Sequence, residues 1–524
     1  MVFLLPFGVA ATANAQLVDR TLAPNISNEG VAKSFAQEIG AGRGTVNTPD
    51  SSLFIIARDP TRAVRRGRQL FQRKFSVSQG LGPRSGDGAG NINTDISIGA
   101  GLADSCAGCH GRPRGSAGFG GDVATRPDSR DAPHLFGLGL KEMLADEITG
   151  ELRSIKAQAI ESAVRTHRKV TRTLTSGQSK GNVNFGTITA NPDGSVDTSQ
   201  VVGVNPDLRV RPFFAHGGTI SIREFAVGAF NAEMGLEAAD PDLLAANGGA
   251  RVVTPSGMVL DGALDAIEGP PASSPTDDPD GDGKVNEIPT SIVDFMEFYL
   301  LNYFKAGNNF DGLSHDAADG RNQLNNLGCT GCHVATMSIN HDRRVADFET
   351  VFDATRGNPF NRLFATATTL FNVIDDHTGL PTLKTPAQGR FEVKNIFTDF
   401  KRHDLGPNFY ERNYDGTTQK QFLTTPLWGV GTTAPYGHDG RSPSLTDVIL
   451  RHGGEAQTAR DRFDCAGTVV QRNVLLFLAT LILFPPDDTA STLLPIAPAT
   501  TGYPQFGHGA IRLTGLFNNP ADPE

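Results

Sequence analysis

Cysteine is scarce in this chain of 524 residues: it occurs five times, against six methionines and a single tryptophan. Long apolar runs are missing too. Beyond the N-terminus no stretch reaches the roughly 18 to 20 apolar residues that a membrane-spanning helix needs. The run "VLLFLATLILF" (Val474 to Phe484) is too short and reads as a core helix. Nor is there an excess of positive charge. Lys and Arg number 47 against 57 Asp and Glu, a net charge of −10, which argues against nucleic acid and anionic membrane as partners. What is plentiful is glycine (59) and proline (32), which predicts long loops and modest regular structure. The length allows two or three domains with cores of their own.

The N-terminal "MVFLLPFGVAATANAQ" has an apolar run followed by Ala13-Asn14-Ala15, a small-x-small cleavage pattern without the usual positive start. Residues 1–15 are therefore expected to be a signal peptide, and the mature protein to be periplasmic or otherwise exported.

Four of the five cysteines fall in two copies of Cys-x-x-Cys-His: Cys106, Cys109 and His110 in "DSCAGCHG", and Cys329, Cys332 and His333 in "LGCTGCHV". At this spacing two thiols can each add to one vinyl group of a haem. The adjacent histidine then lies under the ring as proximal iron ligand. A redox dithiol would not need a histidine at the same offset in both copies. Zinc would want further cysteines, and only Cys465 remains. Two covalent c-type haems are the expectation, and Cys465 reads as a buried structural thiol.

The surroundings repeat as well. Gly67-Arg68 lies thirty-nine residues before Cys106, and Gly320-Arg321 nine before Cys329; the surplus "SQGLGPRSGDGAGNINTDISIGAG" reads as a surface loop. After each motif come a proline, an aromatic residue, a histidine and a glycine in that order, then a Ser-led apolar helix, in "RPFFAHGGTISIREFAVGAF" and "TAPYGHDGRSPSLTDVILRH", with Ser221 and Ser444 as N-caps. The fold expected is mainly α. It comprises two cytochrome c-like haem domains, at 16–290 and 291–524, with long loops and a small β-hairpin insertion at Asn182–Val204 around an Asn-Pro-Asp-Gly turn.

"TDDPDGDGKVNEIP" places Asp278, Asp280 and Asp282 at alternate positions before Gly283, so three carboxylates can converge on one hard cation. Lys284 offers a backbone carbonyl and Glu287 a further carboxylate. One calcium ion is expected here, beside the helical run "SIVDFMEFYLLNYF".

Taken together, "GLGP", "SCAGCHG", "RDAPHLFGLGL", "DPDGDGKVNEIP", "GCTGCH", "FKRHDLG" and "TTPLWGVGTTAPYGHDGRSPSLTDVILRHGGEA" resemble the di-haem oxidoreductase family, related to the bacterial di-haem cytochrome c peroxidases. The likeness runs from about Pro60 to Leu483. It implies a peroxidase-like enzyme that passes electrons from the second haem to an oxidant such as hydrogen peroxide at the first, with a redox-protein donor.

The resemblance also implies site residues. The distal ligand of the second haem, methionine in the peroxidases, falls at His452. The acid/base glutamate at the first haem corresponds to Glu233 in "FNAEMG". The peroxidase glutamine of the same helix is Phe225 here, and the inter-haem tryptophan falls near Phe213-Phe214-Ala215, whereas the only tryptophan is Trp428. Candidates for the distal ligand of the first haem are His134, His216 and Met143, an open site being equally compatible. His403 and His438 read as propionate or backbone partners. The alternative function is a non-catalytic di-haem electron-transfer protein. Oxidation of a partner molecule is a third reading.

Overall fold

Helices begin where the chain offers caps. In this computed structural model, the residues described are 34–82, 104–110, 131–178, 183–302, 313–352, 363–374, 383–386, 390–413, 416–481 and 511–512. The expected signal peptide and most of the glycine-rich insert lie outside them. Ser34, Ser51 and Asp59 each accept a backbone hydrogen bond at the start of α1 (Phe35–Ile39), α2 (Ser52–Arg58) and α3 (Pro60–Gln72), the last with proline in its first turn. Then come α4 (Cys106–Cys109), the long α5 (Leu138–Thr166), α6 (Ile222–Met234), α7 (Pro241–Asn247), α8 (Thr290–Asn302) and α9 (His315–Leu327). The last helices are α10 (Leu445–Arg451), α11 (Gln457–Asp464) and α12 (Thr468–Leu478). Among the described residues helix outweighs strand, 41% against 15%, so that part of the chain is mainly α. No described helix is long and apolar enough to cross a membrane.

Two helix crossings organise the packing: α3 against α8, and α9 against α12. The repeated glycines sit at these crossings. A Cβ on Gly67 would lie 2.3 Å from the Phe295 carbonyl oxygen, and one on Gly320 would lie 1.9 Å from that of Asn473. Only glycine allows the two backbones to approach so closely. The partner of the first crossing, α8, therefore lies downstream of residue 290, and a division at 290/291 would part α3 from the helix it packs on. The Ser-led helices α6 and α10 stand beside these crossings rather than forming them.

Each crossing has its own apolar cluster. The larger gathers Leu70, Ile148, Phe230, Phe295 and Trp428 among others, with Cys106 at its edge. The smaller joins Leu324, Leu327, Phe397, Phe463, Val474 and Phe477, with Cys329 at its edge. Burial of each such side chain contributes roughly 1.5–3 kcal/mol. Helix α8 also buries Asp294 and Glu297, whose carboxylates meet the fully buried Arg223 at 3.0 and 2.8 Å. Removing one member of such a group leaves an uncompensated charge and costs about 3–5 kcal/mol.

The insertion is larger than a hairpin. The Asn-Pro-Asp-Gly turn joins β2 (Val183–Ala190) to the short β3 (Val196–Asp197), as read from the sequence. The longer pairing of β2 is with β1 (Val170–Ser176), in register from Val170↔Ala190. Helices and loops alone were expected elsewhere, and this is corrected beyond residue 336. There, antiparallel ribbons pair Thr336–Ile339 with Phe391–Lys394 and Arg402–Asp404 with Gln421–Leu423. Runs of three or four residues are too short to display a period of two in sequence.

Candidate functional site

Both Cys-x-x-Cys-His motifs fold alike. The histidine N–H returns to the first cysteine carbonyl, at 2.9 Å for His110 on Cys106 and 3.0 Å for His333 on Cys329. The imidazole Nδ1 of His110 lies 2.7 Å from the Pro133 carbonyl, and that of His333 lies 3.0 Å from the Phe397 carbonyl. A carbonyl can only accept, so Nδ1 carries the proton in both rings. Nε2 is left with its lone pair, the arrangement of a metal-ligating histidine. Burial lowers the pKa of His333 and keeps it neutral.

The thiols point the same way. Burial pushes Cys106 up to about 12 and Cys329 up to about 11. A redox dithiol or a zinc thiolate calls for the opposite shift. Cys332 does come within 4.8 Å of donor atoms of Asp399 and His403. His403, however, has Nε2 2.9 Å from Asp399 and Nδ1 2.8 Å from Glu455. Burial opposes its charge, but the hydrogen bonds to Asp399 and Cys332 prevail and push it up to about 11. An imidazolium has no lone pair for a metal. Half-buried thiols beside a histidine held at Nδ1 by a backbone carbonyl fit covalent haem at both motifs.

The turn-and-helix repeat is also built twice. Phe213 bridges Thr219 and Tyr436 bridges Ser442 in antiparallel pairs of equal span. Two residues further on, Ser221 accepts from Glu224 N and Ser444 from Asp447 N, opening α6 and α10. This common register sets His452, eight residues after Ser444, against Ala229, eight after Ser221. The Nδ1 of His452 lies 2.6 Å from the Val448 carbonyl, which again leaves Nε2 unprotonated. Burial is the main reason its pKa falls to about 4, and the nearby His333 adds to the fall. The Phe409 ring stands edge-on to it at 5.3 Å. On α6, Ala229 is half-buried alongside Phe225, whose ring packs on Phe213 at 5.8 Å and Phe214 at 5.4 Å.

Glu233 occupies the last turn of α6 and is half-buried. The candidates for a distal ligand of the first haem are placed differently. The Nε2 of His134 lies 3.1 Å from the Trp428 carbonyl, and His134 follows directly on Pro133, which holds His110 from behind. Met143 is buried in α5, with its sulfur accepting from Arg343 N at 3.1 Å. His216 stacks on Phe214 at 6.2 Å. The partners of His403 and of His438, whose Nε2 is 3.1 Å from Glu411, are carboxylates of the chain itself. Cys465, expected to be buried, is exposed at the end of α11. That helix is polar, with Phe463 its only buried residue, so it has no apolar face to cover the thiol.

The aspartate loop closes on itself, its three aspartates divide between two overlapping groups, and one of these includes Glu237, which sequence reasoning missed. Asp278 accepts from Gly281 N and Gly283 N at 2.9 and 3.0 Å, and Asp282 accepts from Lys284 N at 2.6 Å. Two overlapping groups each bring one oxygen per residue within 4.8 Å: Glu237 with Asp278 and Asp280, and Asp280 with Asp282 and Glu287. Glu287 is 4% exposed, its Oε2 accepts from Glu237 N at 2.7 Å, and its Oε1 has no hydrogen-bond partner. Lys284 is exposed, and its side chain plays no part in either group. Nothing in "GLEAAD" marks Glu237 as a ligand, because its partners are some forty residues downstream.

Residues 367–481 match the protein-family model described as Di-haem oxidoreductase, putative peroxidase. That segment, which carries Phe397, His403, Trp428, the His438 turn and His452, is similar to the di-haem oxidoreductase family and supports the resemblance read from the sequence. Both Cys-x-x-Cys-His motifs and the aspartate loop lie outside the match. No curated protein matches the chain.

Proposed function

We propose that this protein is an exported, peroxidase-like c-type cytochrome with two cytochrome c-like haem units. It receives electrons at the second haem from a redox-protein donor and delivers them to a small oxidant such as hydrogen peroxide at the first. The observation that carries this reading is the register of the two Ser-capped helices. The second unit has His452 where the first has Ala229, so His333 and His452 would both be available to hold the second haem, and His110 the first.

Cys106 and Cys109, and Cys329 and Cys332, hold the two haems as thioethers. The haems supply one-electron redox chemistry and, at the first, a coordination position for the oxidant. The carbonyls of Pro133 and Phe397 fix the tautomers of His110 and His333. Glu233 is the proton carrier at the first haem, taking a proton from one oxygen of the oxidant and returning it to the other. Phe213 and Phe225, which pack on one another, would give that side apolar surface. Calcium belongs at Asp278, Asp280, Asp282 and Glu287, with the Lys284 carbonyl and Glu237 added. Burial and the neighbouring Asp280 and Asp282 push Glu287 up to about 7, and a divalent cation relieves that crowding.

Electron paramagnetic resonance of the calcium-loaded protein, oxidised and then given one electron per molecule, tests the assignment. A high-spin ferric signal assigned to the first haem and altered by cyanide or peroxide is the expected result. Two low-spin signals indifferent to both ligands would mean an electron carrier.

A further inference from the structure

The two proximal histidines are joined by an unbroken chain of covalent and hydrogen bonds that crosses from one haem unit to the other. It starts at His110, whose Nδ1–H donates to the Pro133 carbonyl at 2.7 Å. The next residue, His134, reaches the Trp428 carbonyl through Nε2 at 3.1 Å. Leu427, the neighbour of Trp428, donates its N–H to the Ile396 carbonyl at 3.0 Å. The residue after Ile396 is Phe397, whose carbonyl accepts from His333 Nδ1 at 3.0 Å.

The surroundings keep this chain in place. Trp428 is 4% exposed and belongs to the first apolar cluster, whereas its neighbours Leu427 and Val430 pack on the second. Its indole lies against Gly137, three residues beyond His134. Asp131 N donates to the His438 carbonyl at 2.7 Å, a further tie between the segment behind His110 and the second unit. A carbonyl accepts at one end of the His134–Trp428 contact, so the Nε2–H tautomer is imposed. The buried Nδ1 of the same ring has no hydrogen-bond partner.

We infer that this chain is the route by which an electron passes between the two haem sites, with His134 as the positioning residue that bridges the units. The inference rests on the di-haem reading above. One electron leaves the second iron and arrives at the first; no proton needs to move, because every hydrogen bond on the route is already made. Electronic coupling decays more slowly through bonded and hydrogen-bonded atoms than across gaps. A continuous contact network is the physical carrier of coupling between separated sites. The bridge uses the backbone oxygen of residue 428, so its indole ring is not required.

The test is the rate at which one electron, introduced by pulse radiolysis into the holoprotein, redistributes between the haems, followed in their separate visible bands. His134→Leu is expected to slow that step. Both reduction potentials and the iron–histidine stretching band of the first haem should stay unchanged. Trp428→Phe, which keeps the carbonyl, and His134→Gln, which keeps an N–H donor, should retain most of the rate and also serve if the leucine variant does not fold. A wild-type rate in His134→Leu, or a larger loss in Trp428→Phe than in His134→Leu, would overturn the route. Absence of any exchange in the wild-type protein would overturn the di-haem reading as well.

Discussion

The two haem units of this chain share a latch and differ in a lid. In both, the histidine of Cys-x-x-Cys-His is held by a backbone carbonyl, at 2.7 Å in the first unit and 3.0 Å in the second. Both also have a glycine at a helix crossing and a serine-capped helix after a bridged turn. The lids differ in length and chemistry. Helix α6 runs 13 residues and passes Ala229 on its way to Glu233, whereas α10 runs 7 residues and stops at His452. The repeated scaffold thus keeps the histidine latch and varies the residue that follows the serine cap by eight positions; under the proposed function, one copy would pass an electron and the other would bind a reactant.

Exchanging the lid residues should break that difference most completely. Ala229→His is expected to abolish cyanide binding at the first haem and peroxide turnover with it. His452→Ala should create a second ligand-binding iron, visible as an added high-spin signal. If both variants bind cyanide as the wild type does, the register between the helices does not set coordination.

Next in size is Glu233→Gln. Loss of a positioned proton carrier costs about 10²- to 10⁴-fold in rate. Cyanide affinity should be retained, because the carboxylate is not an iron ligand in this reading. Steady-state peroxide turnover against cyanide titration separates the two.

The aspartate loop gives a smaller, pH-dependent effect. Glu287 is pushed from 4.5 to about 7 by burial and by Asp280 and Asp282. Its folded pKa lies above the unfolded one, so without calcium its contribution to stability is complete below pH 4.5 and is lost as the pH rises through about 7. The loss is about 3 kcal/mol at most. Calcium replaces the proton, so thermal melts in EDTA should fall across that window while calcium-loaded melts stay level. In Glu287→Gln the slope in EDTA should disappear. A slope that persists in that variant would assign the effect to another group.

The smallest effect concerns what the units share. Ser221→Ala and Ser444→Ala each remove a helix cap and should cost about 1 kcal/mol in denaturant melts, alike in the two units. Unequal costs would show that the two Ser-led helices are not equivalent.

Much of the site was legible because haem attachment is a local chemistry. The spacing of Cys106, Cys109 and His110, and of Cys329, Cys332 and His333, needs no tertiary information, and neither do the serine caps or Asp278, Asp280 and Asp282. Glycine-arginine pairs were visible as a repeat, but their reason was not: Gly67 meets Phe295 and Gly320 meets Asn473 across the fold. Glu237 was invisible because it joins its carboxylate partners only through folding. Cys465 was misread because four cysteines of five having a role says nothing about the exposure of the fifth.

By itself, the sequence determined two Cys-x-x-Cys-His motifs, a mainly α chain, an aspartate-rich loop and a resemblance to a family, since each rests on residues a few positions apart. Only the tertiary structure decided which carbonyls lock the proximal histidines, that α8 rather than α6 packs on α3, and that His134 and Trp428 meet between the haem units. Those contacts join residues separated by 23 positions for His110 and Pro133, 64 for His333 and Phe397, and 294 for His134 and Trp428. They exist because two apolar clusters, each too large to leave in water, pack along the segment 427–430, and no local pattern in the chain encodes that meeting.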